Sequence, residues 1–368
     1  MAIKHPLLDL HVSLGAHIGV FGGWEAPISY GSIREEHMSV RRGVGVFDLT
    51  HMGRIIVEGE DADEFLSFMV PKKIEKAELG SMPGPTVLLN EEAGIIDDIM
   101  PYKLGDNRWL LAVNAPLREK DIEWLTRWRD KLGYTGVAIN DYTFRYYLIA
   151  LQGPKAASIL EEAGGSHLLS LKPLRFEENT RIGDIDVWIA SRSGWTGEDG
   201  FEFVLEPSMA ARLFKKLVEA GATPCGLGAR DSLRMEVGFV LSGEDIDENV
   251  TPIDARYWLV FDYDKTECIG CKALRKSIEN GARKVRVGVR LKKHDRRIPR
   301  SGYKLFLPGT NVEIGTITSG AYSPVLDRGI GQAYVSPEHA LMGMKVEVDI
   351  RGKRSKAKIV DFPFIKLK

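Results

Sequence analysis

The sequence is poor in cysteine, carries almost no net charge and lacks long hydrophobic runs. Three cysteines among 368 residues favour a reducing compartment, because small secreted domains are usually stapled by disulfides. A net charge of −1 gives no overall attraction to nucleic acid or to an anionic membrane. No apolar run approaches the length of a membrane span, and the first residues lack the apolar core of a signal peptide. We therefore expect a cytoplasmic protein that binds neither nucleic acid nor membranes.

Two of the cysteines, Cys268 and Cys271, form a C-x-x-C pair. Such a pair is typical of a redox dithiol or of half a zinc site. Cys225 is distant in sequence and has no neighbouring histidine, so we predict no metal site. We interpret the pair as structural, either as free thiols or as a disulfide.

Length and hydrophobic periodicity predict two or three domains of mixed α and β structure. Apolar spacing predicts helices over Ile33–Gly43, with Glu36 on the solvent side, and over Gly59–Val70, with Asp61 as the cap. From Gly281 onward, alternating strands and Gly-rich turns predict a small β-barrel.

Adjacent aspartates inside an apolar run are the most unusual feature of the sequence. The segment Thr86–Met100 is typical of two strands around a turn at Asn90–Gly94. Asp97 and Asp98 then point to opposite faces, each with apolar neighbours on its own face. Burying carboxylates is costly unless their oxygens have hydrogen-bond partners. This cost favours a functional role for the pair.

A third strand over Trp109–Ala115 contains Asn114 near its end, and a helix over Pro116–Leu132 follows it. Strand, hairpin and helix over Gly53–Ile139 predict a small α+β unit inserted into a larger domain.

A second candidate site combines a Gly-rich turn with a helix start. The turn in Ser191–Phe203 leads into a strand that places Glu202 opposite Phe201 and Phe203, where its carboxylate can accept from a ring bearing N–H groups. Arg230 lies near a helix start, where its charge and the free N–H groups favour an anion. The alternative is an ordinary turn and a solvated ion pair.

Several segments together resemble one family. SGWTGEDGFEF at 193–203 and GLGARDSLRMEVG at 226–238 closely resemble the signature of the aminomethyltransferases, the T-protein family of the glycine cleavage system. The FDLTHM segment at 47–52 and the DIDE segment at 245–248 fit the same pattern in order.

This resemblance implies an α+β fold with three domains in a cloverleaf around a central folate channel. The domains are then residues 1–52 together with 140–278, an inserted α+β domain at 53–139 that carries the paired aspartates, and a C-terminal β-barrel domain at 279–368.

The family takes an aminomethyl group from the lipoyl arm of the H-protein, transfers its carbon to tetrahydrofolate and releases ammonia. The implied partners are the lipoylated H-protein, the glycine decarboxylase and dihydrolipoamide dehydrogenase. The implied catalytic residue is Asp98, which can orient the folate nitrogens and stabilise the developing cation. The implied folate-binding residues are Glu202, Arg230, Val113, Met52, Asn114 and Trp195.

Trp195 stands where the family has tyrosine, and this departure leaves a modified pterin open as the co-substrate in place of tetrahydrofolate. A folate-dependent demethylase and a non-catalytic folate-binding factor of iron–sulfur assembly are the alternatives. That factor carries a K-G-C-Y-x-G-Q segment, with which Glu267–Lys272 shares only a Cys and a Gly. It also lacks the paired aspartates.

The stretch Arg283–Lys304 is dense in lysine and arginine. On alternating strands about half of these residues would share a face and form a positive patch for an acidic carrier protein. The alternative is an edge strand protected by charge.

Overall fold

The structure is a computed structural model that describes residues 2–366. Met1, Leu367 and Lys368, at the outer limits of the first and last predicted domains, lie outside the described residues. The chain divides into two compact units, and the three-domain division stays a prediction. The first unit comprises Met1–Leu88, Asp97–Arg230 and Leu259–Cys268, and the second comprises Leu89–Ile96, Asp231–Trp258 and Ile269–Lys368.

The strands form three open sheets and one closed barrel within the described residues. In chain order the strands are β1 Ile3–Lys4, β2 His17–Phe21, β3 Trp24–Ser29, β4 Gly45–Asp48, β5 Gly53–Glu58, β6 Thr86–Leu89, β7 Ile95–Gly105, β8 Arg108–Val113, β9 Ala138–Asp141, β10 Tyr147–Gln152, β11 Phe176–Ile182, β12 Ile185–Ser191, β13 Gly200–Leu205, β14 Thr223–Pro224, β15 Val285–Leu291, β16 Lys304–Phe306, β17 Glu313–Ser323, β18 Arg328–Val335, β19 Lys345–Ile350 and β20 Lys353–Val360. The sheet orders are β1-β3-β2, β11-β12-β13-β10-β4-β14 and β6-β7-β8-β5-β9, and the barrel order is β15-β18-β17-β16-β19-β20.

The helices connect these strands. They are α1 Leu8–Ser13, α2 Ile33–Arg42, α3 Ala62–Met69, α4 Arg118–Leu132, α5 Ala156–Glu162, α6 Pro207–Glu219, α7 Leu227–Val237 and α8 Cys271–Asn280. The α+β class and the C-terminal barrel predicted from the sequence are therefore confirmed. No helix among the described residues combines the length and the apolar character that a membrane crossing requires.

The predicted hairpin over β6 and β7 is confirmed. Its turn closes where the backbone N–H of Asn90 donates to the Gly94 carbonyl at 2.9 Å. The Asn90 side-chain oxygen accepts from the backbone N–H groups of Glu92 and Gly94 at 3.1 and 2.7 Å. An asparagine that bonds its own turn in this way fixes the loop.

Two local predictions about helices are wrong. Asp61 stands at the N-cap of α3, but its side chain makes no capping hydrogen bond. Glu36 on α2 is 4% exposed and does not face solvent. Its carboxylate accepts from the backbone N–H groups of Tyr30 and Gly226, both at 2.8 Å, and these long-range donors compensate for its burial.

Helix α4 begins two residues later than predicted, because the N–H of Leu117 donates to the Asn114 carbonyl in a turn at 3.0 Å. The buried face of α4 carries residues at helical spacing. These are Arg118, Asp121, Leu125 and Trp128.

In the barrel, the basic stretch contains the strand Val285–Leu291 and ends at Lys304, the first residue of β16, while residues 292–303 form no strand. The prediction that the whole stretch forms alternating strands is therefore wrong. Arg286 is 5% exposed but lies on the opposite face of β15 from the barrel-core residues Val287 and Val289. Its guanidinium donates to the carbonyls of Ala255 and Gly238 and to the Gln332 side chain at 2.5–2.9 Å.

Other basic residues of this stretch are paired with acids. Arg296 is paired with Asp327 at 2.9 Å and Arg297 with Asp295 at 2.7 Å. Lys292 is exposed, as is the adjacent Lys293. The positive patch is thus smaller than the sequence predicts.

Cys268 and Cys271 are disulfide-bonded, which confirms the disulfide alternative of the structural interpretation. Cys225 is a buried thiol.

Candidate active site

Asp97 is fully buried on β7, with no exposed side-chain surface. One carboxylate oxygen accepts from the backbone N–H of Asp98 at 2.9 Å and from the Asn114 side-chain amide at 2.8 Å. The other oxygen accepts from the backbone N–H of Asn114 at 3.0 Å. Three N–H groups thus compensate for the burial that made this residue unusual in the sequence.

Asn114 follows β8 and joins the two aspartates. Its amide nitrogen also lies 2.9 Å from a carboxylate oxygen of Asp98 and 3.1 Å from the Asp98 carbonyl. The reverse amide orientation would set an oxygen against carboxylates, so the donor assignment follows from the chemistry. The half-buried carboxylate of Asp98 is therefore held in a defined orientation.

Asp121, on the buried face of α4, adds a third carboxyl to this cluster. Its side chain lies within hydrogen-bonding reach of Asp97. Burial, reinforced by the charge of Asp97, raises the pKa of Asp121. Burial, reinforced by the charge of Asp98, also raises the pKa of Asp97. Sequence reasoning missed Asp121, although its helical spacing with Leu125 and Trp128 places an acid among apolar residues.

Val113 ends β8, and Met52 immediately precedes β5, the strand that pairs with β8. Val113, the last residue of β8, is fully buried and pairs with Gly53, the residue after Met52. A Cβ at Gly53 would come within 2.3 Å of a Val113 methyl group, so this close approach requires glycine. Buried Arg54 donates to the Met52 carbonyl and to the Thr50 carbonyl at 3.0 Å, which fixes the segment before β5.

Glu202 lies half-buried on β13, and the Ser193 hydroxyl donates to its carboxylate at 2.7 Å. Phe201 and Phe203 are fully buried, as the predicted alternation requires. Tyr102 of β7 lies near Ser193 and Glu202, so the strand of the aspartates approaches this group. Burial and then the charge of Glu202 raise the pKa of Tyr102.

Sequence reasoning also missed Tyr102. The alternation of side chains along a strand could have identified it, since residues 98, 100 and 102 share one face of β7.

Arg230 is 8% exposed, and its guanidinium carbon lies 5.1 Å from the centre of the Trp195 ring. Burial lowers the pKa of Arg230 to about 10, although the charge of Glu202 opposes that shift. Glu202, Trp195 and Arg230 therefore form a second group. One guanidinium nitrogen of Arg230 has no hydrogen-bond partner within the part of the chain that the structure describes.

The sequence predicts that free N–H groups at the start of α7 favour a bound anion. This prediction is wrong for two residues, because their N–H groups are already hydrogen-bonded within the protein. The N–H of Arg230 donates to the Gly226 carbonyl at 3.2 Å. The N–H of Gly226 donates to the Glu36 carboxylate, so an anion from the protein already lies at this helix start.

His51, next to Met52, is 3% exposed. Burial, followed by the charges of His5 and Arg230, lowers the pKa of His51 to about 3, so the imidazole is neutral near pH 7. Its Nδ1 has no hydrogen-bond partner among residues 2–366. Unsatisfied buried polar atoms on His51 and Arg230 mark a place where a polar ligand would be bound.

His5, His11 and Asp48 form a separate buried cluster whose ligand atoms could surround a metal ion. The two Nε2 atoms lie 3.3 and 2.9 Å from the Asp48 carboxylate oxygens. The Leu7 N–H donates to Nδ1 of His5 at 3.2 Å, and the Tyr30 hydroxyl lies 2.7 Å from Nδ1 of His11. Burial raises the pKa of Tyr30, so this hydroxyl keeps its proton and donates. The Nε2 atom of His11 then carries the proton and donates it to Asp48. The Nε2 atom of His5 lies near the other Asp48 oxygen but makes no hydrogen bond within the described residues.

The central role of Asn114 can be tested with Asn114→Asp. This change replaces a donor with a third acid beside Asp97 and Asp98, so it should lower the free energy of unfolding by about 2–4 kcal/mol at pH 8. The new carboxyl should have a raised folded-state pKa and therefore bind its proton more tightly in the folded than in the unfolded state. Stability should consequently fall as the pH rises from about 4 through the folded-state pKa.

Thermal unfolding at pH 5 and pH 8 measures both effects. Asn311→Asp is the matched control, because Asn311 is exposed, and it should change stability by less than about 0.5 kcal/mol. Equal melting temperatures for Asn114→Asp and the control at pH 8 would contradict the bridging role.

Family models match nearly the whole chain. Residues 7–265 match the GCVT N-terminal domain, and residues 284–366 match the glycine cleavage T-protein C-terminal barrel domain. The barrel that the sequence predicts from Gly281 onward thus coincides with the second of these matches.

Individual proteins agree with the family models. A probable aminomethyltransferase of Aeropyrum pernix is 47% identical over 370 residues, which are 99% of this chain and 98% of that protein. The aminomethyltransferase of Halothermothrix orenii is 40% identical over 366 residues, with 98% and 99% coverage. The crystal structure of glycine cleavage system aminomethyltransferase T from Bartonella henselae matches with a TM-score of 0.92 at 34% identity, covering 100% of this chain and 99% of that one. The resemblance found in the sequence is confirmed, and the chain belongs to the glycine cleavage T-protein family.

Proposed function

We propose that this chain is an aminomethyltransferase of the glycine cleavage system. It transfers the methylene carbon of an aminomethyl-lipoyl carrier to tetrahydrofolate and releases ammonia. The observation that carries the proposal is the oriented carboxylate of Asp98, held by Asn114 and backed by buried Asp97. Membership of the family, with relatives named aminomethyltransferases, supports the same conclusion.

The reaction breaks two bonds of the methylene carbon and forms two new ones. The methylene carbon leaves the lipoyl sulfur and the amino nitrogen and forms bonds to two folate nitrogens. The nitrogen departs as ammonia and the sulfur as a thiol of the dihydrolipoyl carrier. The two protons that the folate nitrogens lose when they bond to the carbon end on the ammonia and on the thiol. Positive charge develops on the carbon-bearing nitrogen during this exchange, and a fixed carboxylate stabilises such charge without reorganising.

We assign this carboxylate to Asp98, which would also hold the folate nitrogens in line with the incoming carbon. Glu202 would accept from the N–H groups of the pterin ring, and its bond from Ser193 holds the carboxylate for that purpose. Arg230 would bind anionic groups of the co-substrate through its unsatisfied nitrogen. The remaining proposed pocket residues are Trp195 as an aromatic wall, and Val113, Met52 and Asn114 along the pterin.

Tetrahydrofolate is the proposed co-substrate, and a modified pterin would use the same groups. The family comparisons do not favour the demethylase or the iron–sulfur assembly factor. The assembly factor would leave three buried or half-buried carboxyls around Asn114 without a chemical role. We further propose that the chain acts in the cytoplasm with a lipoylated H-protein, a glycine decarboxylase and dihydrolipoamide dehydrogenase.

Asp98→Asn should lower kcat by about two to four decades, the scale of losing one transition-state stabiliser, while pterin affinity stays similar. Asp97→Asn should lower kcat less, because Asp97 acts through Asn114 and not on the substrate. Steady-state kinetics with carrier and folate, together with calorimetric folate titration, measure the two effects. Equal losses at both positions, or no loss at Asp98, would contradict these roles.

Glu202→Gln should weaken pterin binding by about tenfold, because a neutral amide is a weaker acceptor than a carboxylate. Arg230→Ala should weaken the binding of a co-substrate that bears carboxylates more than the binding of a bare pterin. Titration calorimetry measures both, with Glu177→Gln on exposed β11 surface as the control. Unchanged affinities in both variants would place the pterin elsewhere.

The exposed lysines after β15 provide a test of carrier docking. We propose that Lys292 and Lys293 contribute to binding an acidic carrier, an effect that acts mainly on association and weakens with salt. Charge reversal at both positions should raise the apparent KM for the carrier at low salt and leave folate binding unchanged. Reversal at exposed Lys172 is the control. If neither salt nor charge reversal at Lys292 and Lys293 changes the carrier kinetics, these lysines do not bind the carrier and serve only solubility.

A further inference from the structure

The carboxyl of Asp121 stands out because nothing donates to it. The residue has no exposed surface, and no N–H or O–H group of the described residues reaches either of its oxygens. The carboxyl of Asp97 lies within hydrogen-bonding reach of Asp121. Two ionised carboxylates in contact would repel each other in a buried place and leave four lone pairs facing one another.

One proton resolves this conflict, and the hydrogen bonds decide where it resides. Asp97 accepts from three N–H groups, and such bonds favour its ionised form. Asp121 accepts from none, so burial favours its neutral form. A proton on Asp121 would then be donated to Asp97 as an O–H···O⁻ bond, one of the stronger kinds of hydrogen bond in proteins.

We propose that Asp121 is a protonated positioning residue, whose carboxylic acid fixes the Asp97 carboxylate and, through Asn114, the orientation of Asp98. This proposal rests on the proposed function for its catalytic consequence only. The neutral acid supplies the fourth donor to Asp97 without adding charge. If Asp121 ionised, Asp97 would be pushed away from it, and the bonds from Asp97 to Asn114 would be displaced.

The other charged groups around Asp121 do not replace this proton. Lys120 on the same helix lowers the pKa of Asp121, but this is a smaller influence than burial or Asp97. Asp98 on β7 raises that pKa. Arg118 on α4 lies 3.1 Å from Glu119 and 3.5 Å from Asp141 of β9, so its charge is already paired.

The proton can be observed directly by infrared difference spectroscopy. Protein labelled with ¹³C at the aspartate carboxyls should show the carbonyl stretch of a protonated aspartic acid at pH 7. That band should be lost in Asp121→Asn and kept in Asp98→Asn. Its absence from the wild-type protein at pH 7, or its persistence unchanged in Asp121→Asn, would overturn the proposal.

Kinetics then separate positioning from a structural role. Asp121→Leu, which has no donor, should lower kcat by about ten- to a hundredfold and change the KM for folate less than about threefold. Asp121→Asn, whose amide can donate to Asp97, should regain about tenfold of that loss. Equal kcat values for the two variants, or a loss confined to KM, would contradict positioning.

If both variants fail to fold, titration of the infrared band in the wild-type protein decides the matter. The band should disappear as the pH is raised, and kcat should fall over the same pH range. A band that titrates without any change in kcat would overturn the catalytic part. Loss of the proposed function itself would be distinguishable, because folate would then fail to bind to wild-type protein that still shows the band.

Discussion

The side-chain amide of Asn114 lies between two carboxylates of one strand, and the arrangement of the candidate active site depends on it. A single nitrogen lies within 2.8–3.1 Å of Asp97 and Asp98, while the backbone N–H of the same residue binds the second oxygen of Asp97. Asp97 can therefore be buried without exposure to water, and Asp98 can be presented in one orientation. This division of two chemically identical residues into a structural and a reactive carboxylate results from their hydrogen bonds.

The second group is connected to the first through β7 and through the segment before β5. Tyr102, on the same strand face as Asp98, lies beside Ser193, which donates to Glu202. His51 stays neutral partly because of Arg230. A pterin bound between these groups would have a carboxylate for its N–H donors, an aromatic ring at Trp195 and a second carboxylate at the reacting nitrogens. Glu202, Trp195 and Asp98 come from separate loops and strands of one compact unit.

The sequence predicted what depends on local pattern. The hairpin around Asn90, the helix that begins at Ile33, the alternation at Phe201 and Phe203 and the barrel strands all follow from periodicity and turn chemistry. It could not predict contacts between distant segments. The sequence places Glu36 in solvent, because its partner Gly226 lies 190 positions away. It places Arg286 in a surface patch for the same kind of reason. Asp121 is recognised as part of the site only once its neighbour Asp97 is known. Charged residues are exposed by default, so buried ones are recognised only when their partners are known.

The most direct test of this account is an experimental structure of the protein with tetrahydrofolate bound. A carboxylate oxygen of Asp98 should lie within hydrogen-bonding distance of a folate nitrogen that receives the carbon. Glu202 should accept from the pterin ring, and Asn114 should still bridge Asp97 and Asp98. A pterin bound away from Asp98, or an Asp98 that has left Asn114 to point elsewhere, would contradict the central claim.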